Sequence, residues 1–323
     1  MKTFHVRCVS EALWLVMQDI KQNGEHIDTR NGPAVEYPYP VATIYSQPKE
    51  RVLFYPERDA NPFFHCLESL WMLGGRNDVA YVSKYSGNIK NYSDDGKTYH
   101  GAYGYRWRKW FHYDQLSIAA HRLKTFPNDR RTVVSMWDAT TDLLMTNDAK
   151  DLPCNTQIFF NVRNGLLNMT VVNRSNDMVW GAYGANAVHM SFLQEYMAAK
   201  VGVEVGEYTQ FSNNLHAYLN TLEKVSKIDG PDYEPYLDFK PSDLVPLVKD
   251  HRIFDYEVNA FLDGQRELTE PFLATVAAPM AAAWDEFKFD NKFAALAVAQ
   301  EIASADWRKA CVEWIERRLE DAE

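Results

Sequence analysis

The chain has 323 residues, 46% hydrophobic and 14% aromatic, enough to close a large core in one domain or two small ones. Its net charge of −10 argues against broad electrostatic binding of nucleic acid or anionic membrane and leaves room only for a local anion site. Cys8, Cys66, Cys154 and Cys311 lie far apart with no CxxC pair, which argues against a disulfide framework or a zinc knuckle and fits a reducing cytosol.

In chain order, the first twenty residues carry Glu11 and Asp19 among apolar neighbours and lack the ordered segments of a signal peptide, so a cytoplasmic protein is expected. Residues 24–62, rich in Gly, Pro and Tyr, read as loop and short strands. The spacing of Phe63, Phe64, Leu67, Leu70 and Trp71 then predicts a helix, capped by Asn61, begun by Pro62 and ended by Gly74. Glu68 shares a face of that helix with Phe64 and Trp71, a poor place for a charge.

A helix is predicted over Leu116–Lys124 and a strand over Arg131–Trp137. QIFFNV and LLNMTVV read as strands joined by Arg163-Asn164-Gly165, a tight hairpin signal. A second apolar helix is predicted from Asn186 to Ala199, with VGEYTQFSN as a further strand. From Tyr233 the chain is acidic and proline-dotted up to Pro271, then Ala-rich and helical, with Trp284, Trp307 and Trp314 as packing anchors. The apolar run from Phe272 to Trp284 contains Pro279 and is too short to span a bilayer. The expected organisation is a catalytic domain over residues 1–232 and a helical extension over 233–323 packed on the same body.

Cys154 opens the strand after Leu-Pro, and free cysteine by itself is most often a small buried hydrophobe. Arg30, Arg130, Arg131 and Arg174 stand in loop or strand-edge contexts, and convergence of several guanidinium groups would make a phosphomonoester site. Spacing alone does not show that they converge. No phosphate-loop motif replaces them, since GAYGYRW at 101–107 is neither a Walker loop nor GxGxxG.

Six segments in order carry a resemblance. LPC at 152–154 and NRSND at 173–177 resemble the nucleophile strand and the QRSxD segment of the thymidylate synthase family, which includes the pyrimidine nucleotide hydroxymethylases. GEYTQFSNNLHAYLN resembles its His-x-Tyr-x-Asn segment, HCLESLW its glutamate helix, HGAYGYRWRKW its Tyr-Gly-x-x-Trp-Arg motif and NDRRTVVSMW its double-arginine strand. The last hundred residues match poorly.

The resemblance implies an α/β (α+β) fold with a large mixed sheet backed by helices and a sheet-to-sheet homodimer with shared sites. It implies Cys154 as the thiolate that adds to carbon 6 of a pyrimidine ring, with Glu68 passing protons and Tyr103 beside them. Arg30, Arg174 and Ser175 would bind the nucleotide phosphate, with Arg130 and Arg131 reaching the phosphate in the partner subunit. Asn186 matches the base-reading asparagine, although WGAYGA before it is one residue longer than usual and admits an alignment with Ala185. His216 and Tyr218 would hold the sugar, and Asp177 lies on the folate side. The implied ligands are a pyrimidine nucleoside monophosphate and 5,10-methylenetetrahydrofolate, with no metal, no direct nucleic acid partner and no membrane. dUMP is favoured, because the family's deoxycytidylate enzymes carry aspartate at the base-reading position; dCMP and CMP stay open.

Three departures bear on the reaction. Asn155 stands where synthases have histidine, Lys90 and Asn91 in SGNIKNYSDD (86–95) stand where they have tryptophans, and the chain ends ERRLEDAE in place of a short apolar tail. Polar groups near the exocyclic methylene favour its hydration, so the expected reaction is hydroxymethylation. A divergent thymidylate synthase and a non-catalytic nucleotide-binding homologue are the alternatives. Hydroxymethylases of this family are typical of phages that modify their DNA and of some nucleoside-antibiotic pathways.

Overall fold

Among the described residues ten strands fall into two sheets, and the long strands Asn155–Arg163 and Leu166–Asn173 carry alternating buried apolar residues. The computed structural model describes residues 1–146 and 148–320; the last three residues of the polar terminal stretch ERRLEDAE lie outside the described residues. The strands are β1 (Lys2–Val6), β2 (Glu25–Thr29), β3 (Gly32–Glu36), β4 (Val41–Tyr45), β5 (Val133–Ser135), β6 (Asn155–Arg163), β7 (Leu166–Asn173), β8 (Asn176–Asp177), β9 (Glu204–Ser212) and β10 (Leu215–Tyr218). Six form a mixed sheet in the order β1-β4-β9-β7-β6-β5, and four a smaller sheet in the order β2-β3-β10-β8. The expected large mixed sheet backed by helices is present.

In β6 the side chains of Ile158, Phe160 and Val162 are buried, whereas Gln157, Phe159 and Arg163 between them are exposed. The inner face so defined is covered by helices, chief among them Asn186–Val201, which is buried on nearly every side and therefore lies at the centre of the core. The β6–β7 turn places Asn164 and Gly165 at φ 52° and 77°, the left-handed pair that a tight primed turn requires.

The Pro62–Leu73 helix begins as its sequence dictates, with Asn61 Oδ1 accepting from Phe64 N at 3.0 Å. It packs on the Asn186–Val201 helix and carries Glu68. The strand expected over Arg131–Trp137 is shorter, Val133–Ser135, because Met136 N and Trp137 N both donate to the one Thr156 carbonyl and the ladder ends there. The acidic, proline-dotted segment before Pro271 hides a helix, His251–Leu262, capped by Asp250 Oδ1 on Arg252 N at 2.8 Å.

The C-terminal helices Ala278–Lys288 and Ala305–Glu320 dock on this body through aromatic rings. Trp284 and Trp314 lie 5.5 and 5.6 Å from the Phe63 ring, and Trp307 lies 5.8 Å from Phe192. Trp284 Nε1 also donates to the Lys84 carbonyl at 2.9 Å. Among the described residues no helix is long and apolar enough to cross a membrane.

Trp284→Ala removes a buried ring that packs against both Phe63 and Trp314, and its expected cost is about 3–5 kcal/mol. Chemical denaturation monitored by tryptophan fluorescence reads that loss, and a change below about 1 kcal/mol would show that the C-terminal helices do not brace the glutamate helix.

Candidate active site

Cys154 sits one residue before β6, at the point where a Leu-Pro turn enters the sheet. Of the four cysteines it is the one that is not fully buried. Arg174, just beyond β7, straps that turn: its backbone N–H donates to the Cys154 carbonyl at 2.9 Å, its Nε to the Pro153 carbonyl at 3.0 Å and one Nη to the Leu152 carbonyl at 3.2 Å. Burial pushes the Cys154 thiol up from its ordinary value, the Arg174 charge pulls it down and the Asp151 carboxylate pushes it up again.

Tyr103 lies against the same turn and accepts from Asn155 N at 3.4 Å. Its hydroxyl is pushed well up by burial, with the neighbouring Cys154 adding to the shift. Glu68, from the Pro62–Leu73 helix, brings Oε2 within 3.0 Å of His189 Nε2, off the direction of a hydrogen bond. Tyr99 links the two halves of the cleft: its ionisation is pushed up by burial and by the charges of Glu68 and Asp151, and its hydroxyl is buried with no partner among the described residues.

On the other side of Arg174, Asp177 accepts from Val179 N and Trp180 N, both at 2.8 Å, and so caps the stretch Met178–Ala185. That stretch winds as a π-helix with a kink at Tyr183 and Gly184. Asn186 then opens the next helix, its Nδ2 donating to Asn176 Oδ1 at 3.0 Å. Burial raises the Asp177 carboxyl and lowers the His216 imidazole, so each tends to its neutral form although their charges attract.

His216 and Tyr218 alternate on β10, their rings 5.2 Å apart. Asn214 Oδ1 lies 2.8 Å from His216 Nδ1 and 3.5 Å from Ser175 Oγ, while Asn31 Nδ2 donates to the Tyr218 hydroxyl at 3.2 Å. Arg30, in the β2–β3 turn, is the neighbour of that asparagine. Direct contacts thus join Cys154 to Arg174, the next residue Asn155 to Tyr103, and Ser175 to His216 through Asn214, while Asp177 and His216 lie near enough for their charges to interact.

Arg130 and Arg131 do not join them. They precede β5, whose register pairs Val133 with Phe159, so Arg131 falls opposite Asn161, six residues along β6 from Asn155 and roughly 20 Å away. Both are exposed, and Arg131 Nε donates to Asp129 Oδ1 at 3.0 Å.

Residues 13–265 match the family model described as Thymidylate synthase. The Deoxyuridylate hydroxymethyltransferase of Pseudomonas phage M6 is 47% identical over 98% of this chain and 95% of its own. The chain belongs to the thymidylate synthase family. Relatives with the same printed name occur in Bacillus phage SP01, 36% identical over 73% of this chain and 63% of that one, and in Delftia phage PhiW-14, 29% identical over 74% and 67%.

Several neighbours of the candidate residues were not legible beforehand. Arg58 is 4% exposed, donates through Nε to the Val179 carbonyl at 3.0 Å and lies 4.0 Å under the Trp180 ring, with burial pushing it down to about 10. Trp180 itself is 47% exposed, and its backbone N–H donates to Asp177. Asp151, three residues before Cys154, has its carboxyl raised by burial and accepts from Gly101 N at 2.8 Å. The segment SGNIKNYSDD is tied to the stretch that leads to Cys154, where Lys150 N donates to Asp94 Oδ1 at 3.1 Å. The KDLPC stretch held Asp151 in plain view, while Arg58 and Tyr99 gave no local signal, since only tertiary packing brings them in.

Iodoacetamide alkylation of Cys154 is expected to rise with pH along a profile whose midpoint lies above the free-cysteine value of about 8.5. Arg174→Gln removes the favourable charge, moves that midpoint further up and slows alkylation near pH 8 severalfold. A midpoint unmoved by Arg174→Gln would mean that the guanidinium does not act on the sulfur.

Proposed function

We propose that this protein hydroxymethylates carbon 5 of deoxyuridylate, with 5,10-methylenetetrahydrofolate as the one-carbon donor. The observation that carries the reading is the 47% identity, end to end, with a phage enzyme named for that reaction, together with a thiol set beside Arg174 at the cleft. Carbon 5 of uracil is a weak nucleophile. Addition of the Cys154 thiolate to carbon 6 makes it enolate-like, so that it attacks the one-carbon unit.

Arg174, Ser175 and Arg30 bind the phosphate, and Arg174 exchanges its hold on the Leu152 carbonyl for the stronger charged acceptor. Asn186 reads the base edge, and uracil rather than cytosine is the preferred base. His216 and Tyr218 hold the sugar hydroxyl, oriented by Asn214 and Asn31. Glu68 moves protons between ring, folate and water, with His189 as its neighbour. Asp177 and Trp180 meet the folate.

Arg130 and Arg131 complete the site of a second copy through a sheet-to-sheet homodimer. Two facts support this: both are too far from Cys154 in their own chain, and the outer sheet face carries Val133, Phe159 and Leu166 exposed at 39%, 39% and 41%. Residues 1–232 make the catalytic body and 233–323 an extension that braces the helix of Glu68. With relatives from phages, the reaction would run in the cytoplasm of an infected host.

Water reaches the methylene because its surroundings are polar: Asn155 follows the nucleophile, and Lys90, Asn91 and Tyr92 are exposed where a dry cover would need buried rings. Incubation with dUMP, dCMP and CMP in turn, each with methylenetetrahydrofolate, followed by mass analysis of the nucleotide, tests the reading. Hydroxymethyl-dUMP with tetrahydrofolate is the expected pair, and thymidylate with dihydrofolate would replace it by a synthase. Cys154→Ser is expected to lower turnover by at least about a thousandfold, and unchanged turnover would remove the thiol from the mechanism.

A further inference from the structure

The inner face of the large sheet is apolar along most of β6 and β7, through Ile158, Phe160, Met169 and Val171. At the end next to Cys154 it turns polar. Asn155 and Asn173 oppose one another there across the two strands, and both are 0% exposed. Directly opposed residues of an antiparallel pair put their side chains on one face, side by side. Asn173 Nδ2 donates to the Phe211 carbonyl at 3.1 Å. Its Oδ1, and both Oδ1 and Nδ2 of Asn155, make no well-aligned hydrogen bond among the described residues, although the Asn155 amide lies close enough to the Tyr103 hydroxyl to favour its ionisation.

Three unpaired polar atoms at one buried spot are costly, about 1–3 kcal/mol each, and a leucine of the same shape would avoid the cost. Their retention beside the nucleophile points to a ligand. It must be small, and it must both donate and accept. Water fits: its two hydrogens meet the two amide oxygens, Asn155 Nδ2 meets one lone pair, and the second lone pair is left to face the cleft.

We infer that Asn155 and Asn173 form a water subsite that presents the attacking water to the exocyclic methylene; this rests on the hydroxymethylation reading above. The water oxygen bonds to the methylene carbon, and the carbon–carbon π pair moves onto carbon 5 and the carbon 4 carbonyl as an enolate. The enolate then re-forms the 5,6 double bond and expels the Cys154 sulfur from carbon 6. The proton lost by the water ends on that sulfur, restoring the thiol, and no oxidant or reductant is needed. Asn155 and Asn173 are positioning residues: they neither give nor take a proton, and they fix where the water lone pair points. A histidine following the cysteine would bring a larger ring and a titratable nitrogen where this chain sets a neutral amide.

The test is a competition. Wild type, Asn155→Leu and Asn173→Leu are each supplied with dUMP, methylenetetrahydrofolate and increasing 2-mercaptoethanol, and the products are resolved by mass. Added thiol and held water compete for one methylene, so the ratio of hydroxymethyl to thioether product reads the subsite alone and is independent of how fast the methylene forms. Asn155→Leu is expected to lower that ratio roughly tenfold, the effect of losing one to two hydrogen bonds to the attacking water, and Asn173→Leu to lower it severalfold. The melting temperature of Asn155→Leu should hold or rise, because two unpaired buried atoms are removed. Ratios equal to wild type in whichever variants fold overturn the inference. A wild-type protein that yields neither hydroxymethyl nor thioether nucleotide overturns the hydroxymethylation reading instead, so the two failures are told apart.

Discussion

Everything at the cleft depends on how one arginine is tied. Arg174 stands where β7 ends, and it bonds the carbonyls of Leu152, Pro153 and Cys154 in succession. One side chain and its own backbone N–H thereby fix the turn that delivers the thiol, and the same cation is the one whose charge favours the thiolate. Position and reactivity are coupled through a single residue. A phosphate arriving at this guanidinium would compete for donors that now hold the turn, so substrate binding and nucleophile placement cannot be independent.

Burial sets the electrostatic character of the cleft. Cys154, Tyr103, Tyr99, Asp151 and Asp177 are all shifted toward their neutral forms by desolvation, and His216 likewise loses its proton more readily. Desolvation brings the two carboxyls nearer to neutral pH, where they can exchange protons, and moves the thiol and the phenols further above it. The aromatic helices behind Phe63 stiffen the opposite wall, which carries Glu68.

Much of this was legible in the residues, for identifiable reasons. The Asn-Gly turn, the Asn61 and Pro62 helix start and the alternation in β6 are local signals, and the structure repeats them. Cys154, Arg174 and Ser175 were legible because they flank the outer ends of two strands joined by a hairpin, so their nearness follows from the turn, and Asp177 comes two residues later on β8. Arg58 and Tyr99 were not, since each reaches the cleft from a loop whose course is set by distant packing. The strand before Trp137 was read too long because a carbonyl shared by two N–H groups leaves no trace in composition.

The central claim is that Cys154 adds to carbon 6 of the pyrimidine and so makes carbon 5 nucleophilic. With 5-fluorodeoxyuridylate the fluorine at carbon 5 cannot leave as the proton does, so the chain of bonds from sulfur through ring to folate should persist. Peptide mass analysis after incubation with that nucleotide and methylenetetrahydrofolate is the direct measurement. The account predicts the peptide bearing Cys154 with both nucleotide and folate attached. An unmodified Cys154 peptide from protein that still turns over deoxyuridylate would contradict it.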